Sequence, residues 1–291
     1  MTRTVESALH TLHHQLELAP LYYGHGTDNA WDEAVCLIFH VMNIPIHSDQ
    51  TVLKKTLKDE EWEKIMVLAQ ARIHTQKPLP YLIHRAWFAG LEFYVDERVL
   101  IPRSPLSELI EQRFEPWISP GNVHRILDLC TGSGCIAIAC AHYFSKAHVD
   151  ASDLSKDALA VAEKNISHYQ LQNQVHLIPS DLFDNIQGQY DVIISNPPYV
   201  DAEDMSTLPN EYRHEPDFAL KAGPDGLACV RRILQQAAHY LTPQGILVVE
   251  VGNSADALIE AFPTLPFMWL EFSRGGTGVF TLTREELLPL L

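Results

Sequence analysis

The stretch Asp191-Val192-Ile193-Ile194-Ser195-Asn196-Pro197-Pro198-Tyr199 decides how the chain is read. Three β-branched apolar residues in succession, Val192 to Ile194, are the pattern of a strand covered on both faces. Pro197 and Pro198 remove two backbone donors, so pairing stops there. Asn196 and Tyr199 therefore stand at the strand's carboxyl end, where an open parallel sheet binds its ligands. One amide and one aromatic face suit a planar amide or an exocyclic amine better than an anion. Taken alone, the tetrapeptide is equally well a rigid loop, because Asn and Pro are ordinary turn residues.

A second element upstream shifts that balance. Ile126-Leu127-Asp128-Leu129-Cys130-Thr131-Gly132-Ser133-Gly134, followed by Cys135-Ile136-Ala137-Ile138-Ala139, has the order strand, glycine turn, helix. Around these two anchors the chain alternates. Strands are predicted at 125–129, 148–152, 175–179, 191–195 and 245–251, with 267–272 and 278–283 as a closing antiparallel pair. Helices are predicted at 135–144, at 155–169 with Ser155 as cap, and at 227–240. Such alternation specifies an α/β, doubly wound sheet.

Toward the amino terminus the period becomes helical. Leu9, Leu12 and Leu16 share one face of a helix over 7–18. A second helix starts after the capping pair Thr27-Asp28 and stops before Pro45, and a third covers about 60–74. Together they make a small helical domain, residues 1–83, with a partner-binding role or a simple packing role equally open. Residues 84–105 then read as a β-hairpin linker, with Asp96-Glu97-Arg98 as its turn between Trp87–Val95 and Val99–Ile101. Pro102-Arg103-Ser104-Pro105 follows as an extended segment, and a helix over 107–114 opens the core domain, 106–291.

Composition narrows the function classes. With 291 residues, 46% of them hydrophobic, the chain can bury a real core. Residues 1–20 hold no continuous apolar stretch, so neither a signal peptide nor a membrane anchor is expected, and the expected location is cytoplasmic. The five cysteines are odd in number with no Cys-x-x-Cys pair, which argues against disulfides and zinc and for small reduced core residues. His10, His13 and His14 lie within helical reach but lack the acidic partner of a metal motif, so no metal is expected. A formal charge of −16 opposes a broad phosphate-tracking surface and suits a basic protein partner, although acidity also simply keeps a protein in solution.

The chemistry begins at the glycine turn. Gly132 and Gly134 allow close approach of backbone to a ligand at a helix amino terminus. Gly132-x-Gly134-x-x-Ala137 satisfies a loose dinucleotide pattern, which admits a nicotinamide enzyme. Asp128 opposes it, because a carboxylate there repels a pyrophosphate and favours a ligand with ammonium or sulfonium charge. S-adenosylmethionine carries both. Asp153, 21 residues after Gly132, is placed to accept hydrogen bonds from ribose hydroxyls. Ser180-Asp181 after the third strand reads as a contact to an adenine amino group, with Leu182 or Phe183 packing on the ring.

Asp128-Leu-Cys130-Thr131-Gly132-Ser133-Gly134, Asp153 and Asn196-Pro197-Pro198-Tyr199 resemble the class I S-adenosylmethionine-dependent methyltransferases, whose Rossmann-like sheet has seven strands with the last antiparallel. More narrowly, the chain resembles the protein glutamine methyltransferases over nearly its whole length. The further likenesses are the helical amino-terminal domain, the hairpin, Val99-Leu-Ile-Pro-Arg103, Glu215-Pro-Asp-Phe-Ala-Leu220 and Ala222-Gly-Pro-Asp-Gly-Leu227. Arg103-Ser104-Pro105 is similar to the branch acting on large-subunit ribosomal protein L-three, whereas the release-factor enzymes typically read Pro-Arg-Pro-Asp-Thr-Glu. Ser107 stands where a smaller residue is expected for that branch.

The resemblance implies S-adenosyl-L-methionine as cofactor, bound by Asp128, the turn Cys130 to Gly134, Asp153, Asp181, Leu182 and Asn196. A glutamine amide nitrogen is a poor nucleophile, so positioning must supply much of the rate. Asn196's side-chain oxygen and the Pro197 carbonyl are expected to accept the two amide N–H bonds, with Tyr199 packed on the amide plane. Pro198 and Arg103 complete the expected substrate contacts, and Glu215 and Glu250 read as positioning or structural residues. Adenine-N6 DNA methyltransferases share Asn-Pro-Pro-Tyr, since their target nitrogen is also conjugated, but the acidic chain offers no basic cleft. A release-factor substrate is the nearer alternative, and a non-enzymatic ribosome assembly factor the more distant one.

Overall fold

The computed structural model describes residues 3–290. Two compact units emerge: the chain up to Ala86 together with Pro209–His214, and Trp87–Leu208 together with the chain from Glu215 on.

The smaller unit is helical: α1 (Val5–Glu17), α2 (Ala30–Val41), α3 (Asp59–Thr75) and α4 (Leu79–Ile83). Val5, Ala8, Leu9, Leu12 and Leu16 form the buried stripe of α1, as the leucine spacing predicts. The cap of α2 is Asn29, whose side chain accepts from the Asp32 N–H, rather than the Thr27-Asp28 pair expected. Its centre is an ion cluster. Arg72 donates to Glu33 at 2.7 Å, to Glu211 at 3.3 Å and to the Tyr22 carbonyl at 2.9 Å, all three charged side chains being buried. Glu211 also accepts from the Tyr22 N–H at 2.7 Å, and the Tyr212 ring meets His25 at 4.4 Å. Pro209–His214, which the sequence assigns to the long domain 106–291, thus owes its place in the helical unit to a buried carboxylate and an aromatic ring, contacts without local sequence signature.

In the larger unit, β1 (Ala86–Phe88) and β2 (Leu91–Phe93) form the hairpin. Its turn is Ala89-Gly90, both with φ in the left-handed region at 49° and 76°, which matches the twist of a two-residue hairpin loop. The expected turn at Asp96–Arg98 is instead a local bend, closed by Arg98 bonding Asp96 through both backbone and guanidinium, and 99–101 is irregular rather than a strand.

The sheet follows from α5 (Leu106–Glu111) onward: β3 (Arg125–Leu129), α6 (Cys135–Tyr143), β4 (His148–Asp153), α7 (Lys156–His168), β5 (Val175–Pro179), β6 (Tyr190–Ser195), α8 (Ala202–Thr207), α9 (Ala228–Tyr240), β7 (Leu241–Glu250), α10 (Ala255–Ala261), β8 (Met268–Trp269), β9 (Val279–Thr283) and α11 (Arg284–Leu287). Strand order is β5-β4-β3-β6-β7-β9-β8. β9 runs antiparallel to both of its neighbours, β7 and β8, and so against the direction of the other six described strands of this sheet. The order reverses between β3 and β6, which pair in parallel with Leu129 opposite Ser195. That switch point is where a doubly wound sheet opens a crevice. Val192, Ile193 and Ile194 are wholly buried, facing two separate core clusters on the two sides of the sheet. Among the described residues no helix is long and apolar enough to cross a membrane.

Candidate active site

A cavity with about 1070 Å³ of empty volume opens at the carboxyl ends of β3, β4 and β6. Its floor is the glycine turn. Cys130, Gly132 and Gly134 have φ of 59°, 54° and 79°, a left-handed succession that aims backbone toward the opening. A Cβ built on Gly132 meets nothing within 4 Å, whereas one on Gly134 lies 3.1 Å from the Ala162 Cβ. Gly132 therefore keeps space open on the cavity side, and Gly134 lets α6 pack close to α7. Cys130, Thr131, Gly132 and Ser133 line the cavity; Gly134 does not.

The side chains of Asp128, Asn165 and Asp153 fix this turn. Asp128 accepts from the Thr131 hydroxyl at 2.5 Å and the Ala137 N–H at 3.1 Å. It is fully buried and absent from the cavity wall, so the structure gives it the role of holding the turn from beneath rather than facing a ligand. Burial raises its pKa to about 7, against the lowering effect of those two bonds and with the Asp153 charge adding to the rise. Its second oxygen meets no hydrogen-bond partner among the described residues. Asn165 donates to the Ser133 carbonyl at 2.9 Å and brackets Tyr94 through its carbonyl and N–H.

Asp153 stands on the wall as the sequence predicts. Its carboxylate accepts from Gly132 N–H at 2.9 Å and Ser155 N–H at 2.8 Å, and burial raises its pKa despite both. Asp181 and Leu182 also line the cavity. Asp181 is paired with Arg232 at 2.8 Å at the rim. Phe183 is not part of it: its ring is buried and stacks on Tyr240 with centroids 4.6 Å apart, so of the two alternatives only Leu182 faces the cavity.

The opposite wall carries the Asn-Pro-Pro-Tyr turn and the segment before α5. Ser195 donates to the Leu129 carbonyl at 2.8 Å, tying the end of β6 to that of β3. Asn196 and Pro198 line the cavity; Pro197 is buried behind them, and Tyr199 stands beside the cavity without lining it. The Asn196 amide has no hydrogen-bond partner among the described residues, whereas the side chains of Arg103, Ser104 and Tyr199 are each bonded to a buried carboxylate. Tyr199 donates to Glu250 at 3.1 Å and its carbonyl accepts from Ser254 at 2.7 Å. Arg103 lines the cavity and forms a two-pronged pair with Glu215, at 2.5 and 2.7 Å.

Several wall residues had no local signal strong enough to be chosen. Leu154 and Phe218, 70% and 52% exposed, are large apolar groups at the mouth. Leu154 directly follows the strand-end carboxylate, a position from which an apolar cover was inferable. Cys135 and Cys229 join Cys130 of the turn on the wall, where the sequence suggests core filling for these two. Burial pushes Cys135 up to about 12 and Cys130 well above the usual thiol range, so both stay protonated.

An order-reversing parallel sheet with β9 antiparallel, a glycine turn, a strand-end carboxylate and an unsatisfied asparagine at one cavity define an α/β methyltransferase. Consistently, the model of the Methyltransferase small domain family matches residues 107–211. The hMettl16 catalytic domain, solved in complex with MAT2A 3'UTR hairpin 6, shares the fold, with a TM-score of 0.52 at 17% identity over 78% of this chain and 83% of that one. Two curated relatives are each 50% identical. One, from Francisella tularensis, matches over 92% of this chain and 86% of its own length, and one from Neisseria gonorrhoeae over 93% and 91%; both are named ribosomal protein uL3 glutamine methyltransferase. The chain belongs to that family.

Proposed function

We propose that the chain transfers a methyl group from S-adenosyl-L-methionine to the side-chain amide nitrogen of a glutamine in ribosomal protein uL3. The observation that carries this reading is the Asn196 amide, half-buried on the cavity wall with its hydrogen-bonding capacity unused. An amide with no protein partner at the cavity wall is free to exchange its hydrogen bonds for those of a substrate amide.

The residues present fit the cofactor. Gly132 leaves open space where any side chain would intrude, the Asp153 carboxylate faces the cavity for a ribose, and Leu182 and Leu154 offer apolar faces for an adenine. When bound, S-adenosylmethionine supplies an electrophilic methyl on a positively charged sulfur. Cys130 to Ser133 cradle the donor by backbone, and Asp181 lies at the rim for an exocyclic amine. The Asn196 side-chain oxygen and the Pro197 carbonyl accept the two N–H bonds of the glutamine. They hold its nitrogen toward the methyl and favour the positive charge that develops there. Tyr199 backs the amide plane, and Pro198 and Arg103 bound the substrate's approach. No strong base is required, because the nitrogen becomes acidic once methylated.

The net charge of −16 suits a basic ribosomal protein and opposes a nucleic-acid target. The helical unit is the natural place for recognition of the folded substrate, and a cytoplasmic location accords with it. The test is transfer from methyl-labelled S-adenosylmethionine into a methylation-deficient lysate. Label on glutamine in uL3 is expected. Label in a release factor would move the substrate, and label confined to nucleic acid would overturn the reading.

A further inference from the structure

We infer that Glu250 is a positioning residue for methyl transfer, tying Tyr199 to Ser104 so that the wall presenting Asn196 to the substrate amide keeps one arrangement. The inference rests on the amide-methylation reading above.

Glu250 ends β7 and is 5% exposed. Its neighbour Val249 pairs with Ser195, so Glu250 stands alongside the point where β6 gives way to Asn196. One carboxylate oxygen accepts from the Tyr199 hydroxyl at 3.1 Å, and the other from the Ser104 hydroxyl. Ser104 is itself buried, lines the cavity and accepts from the Leu106 N–H at 3.1 Å, so its own proton is directed at Glu250. Both oxygens are thus used on two segments of the same wall, the Asn-Pro-Pro-Tyr turn and the segment before α5, which Glu250 ties together from behind.

Tyr199 is held from its other sides as well. A Cβ on Gly252 would lie 2.5 Å from its ring, and one on Gly226 would lie 2.4 Å from its carbonyl. Gly252 gives the ring a close-fitting seat, Gly226 leaves room for the carbonyl, and Glu250 holds the hydroxyl. Glu215 does the matching task one residue earlier in the wall, through Arg103 and the Ile101 N–H at 3.2 Å. A buried carboxylate is a costly filler compared with an apolar side chain. Here its two acceptor oxygens hold two hydroxyl donors whose spacing borders the reaction site.

The test compares wild type, Glu250→Gln, Ser104→Ala, Tyr199→Phe and the double variant Glu250→Gln/Tyr199→Phe. Steady-state methylation of uL3 and S-adenosylmethionine binding by calorimetry are both measured. Glu250→Gln is expected to lower kcat about tenfold to a hundredfold, the size of effect that misplacement of reacting groups produces, with cofactor affinity changed less than about twofold. Glu250→Gln and Tyr199→Phe are expected to be non-additive, the double variant no slower than the slower single one, since both break one link. In the unliganded protein, the ring signal of isotope-labelled Tyr199, assigned by its loss in Tyr199→Phe, is expected to shift in Glu250→Gln and in Ser104→Ala. Multiplying effects, an unmoved ring signal, or wild-type kcat in Glu250→Gln would overturn the inference. A wild-type protein that methylates no glutamine would instead overturn the reading on which it rests.

Discussion

Replacing Gly132 by alanine separates what the glycine turn does for folding from what it does for ligand binding. Gly132 has φ +54°, and the new Cβ meets no atom within 4 Å. The cost to the fold is therefore backbone strain alone, roughly 1–2 kcal/mol for an L-residue in the left-handed region. In a unit of this size that lowers the melting temperature by about 2–4 °C per kcal/mol. The methyl group would stand on the cavity floor, where the cofactor must approach the backbone. A loss of affinity of at least about tenfold, equivalent to about 1.4 kcal/mol, is expected. Gly134→Ala is the control. Its Cβ would press on Ala162, 3.1 Å from the Cβ and 3.4 Å from the Cα, so it should cost more stability and less affinity relative to that stability. Urea unfolding and calorimetric titration with S-adenosylmethionine read the two quantities. Wild-type affinity in Gly132→Ala, together with the expected loss of stability, would refute the turn as the cofactor's cradle.

Two other changes probe buried charge. Arg72→Met leaves Glu33 and Glu211 buried without their cation; a loss of about 3–5 kcal/mol is expected, and a loss under about 1 kcal/mol by urea unfolding would contradict the cluster's role. Asp128 has its pKa raised from 3.8 to about 7 by burial. The folded state favours its neutral form, so this contribution to stability is complete below about pH 4 and is lost as pH rises through about 7. Asp128→Asn removes the titration, so its stability relative to wild type should improve by on the order of 4 kcal/mol between pH 4 and pH 8. A pH-independent difference between the two unfolding free energies would exclude the assigned shift.

The central sheet was legible because its signals are local. Val192 to Ile194 is a strand by composition, and Pro197-Pro198 ends it by removing donors. The Gly132 turn announces its own conformation, and Asp153 and Asn196 follow from being the first polar residues after buried strands. What was hidden depends on distant partners. Asp128 reads as a ligand-facing carboxylate until its bonds to Thr131 and Ala137 turn it beneath the floor. Phe183 reads as a ring cover until Tyr240 claims its face. The hairpin turn was misplaced because Asp96-Glu97-Arg98 is a stronger turn by composition than Ala89-Gly90, which works through the left-handed φ of Ala89. Glu211 joins the helical unit through Arg72, 139 residues away, a pairing no window of sequence contains.

The most direct test of the account is the Asn196→Ala variant assayed on purified, unmethylated uL3, with S-adenosylmethionine binding measured on the same sample and the product digested to locate methylglutamine by mass spectrometry. Cofactor binding is expected to stay within about twofold of wild type and methylglutamine to fall at least about a hundredfold, the scale seen when a group that stabilises developing charge is removed. Near-normal formation of methylglutamine by that variant would contradict it.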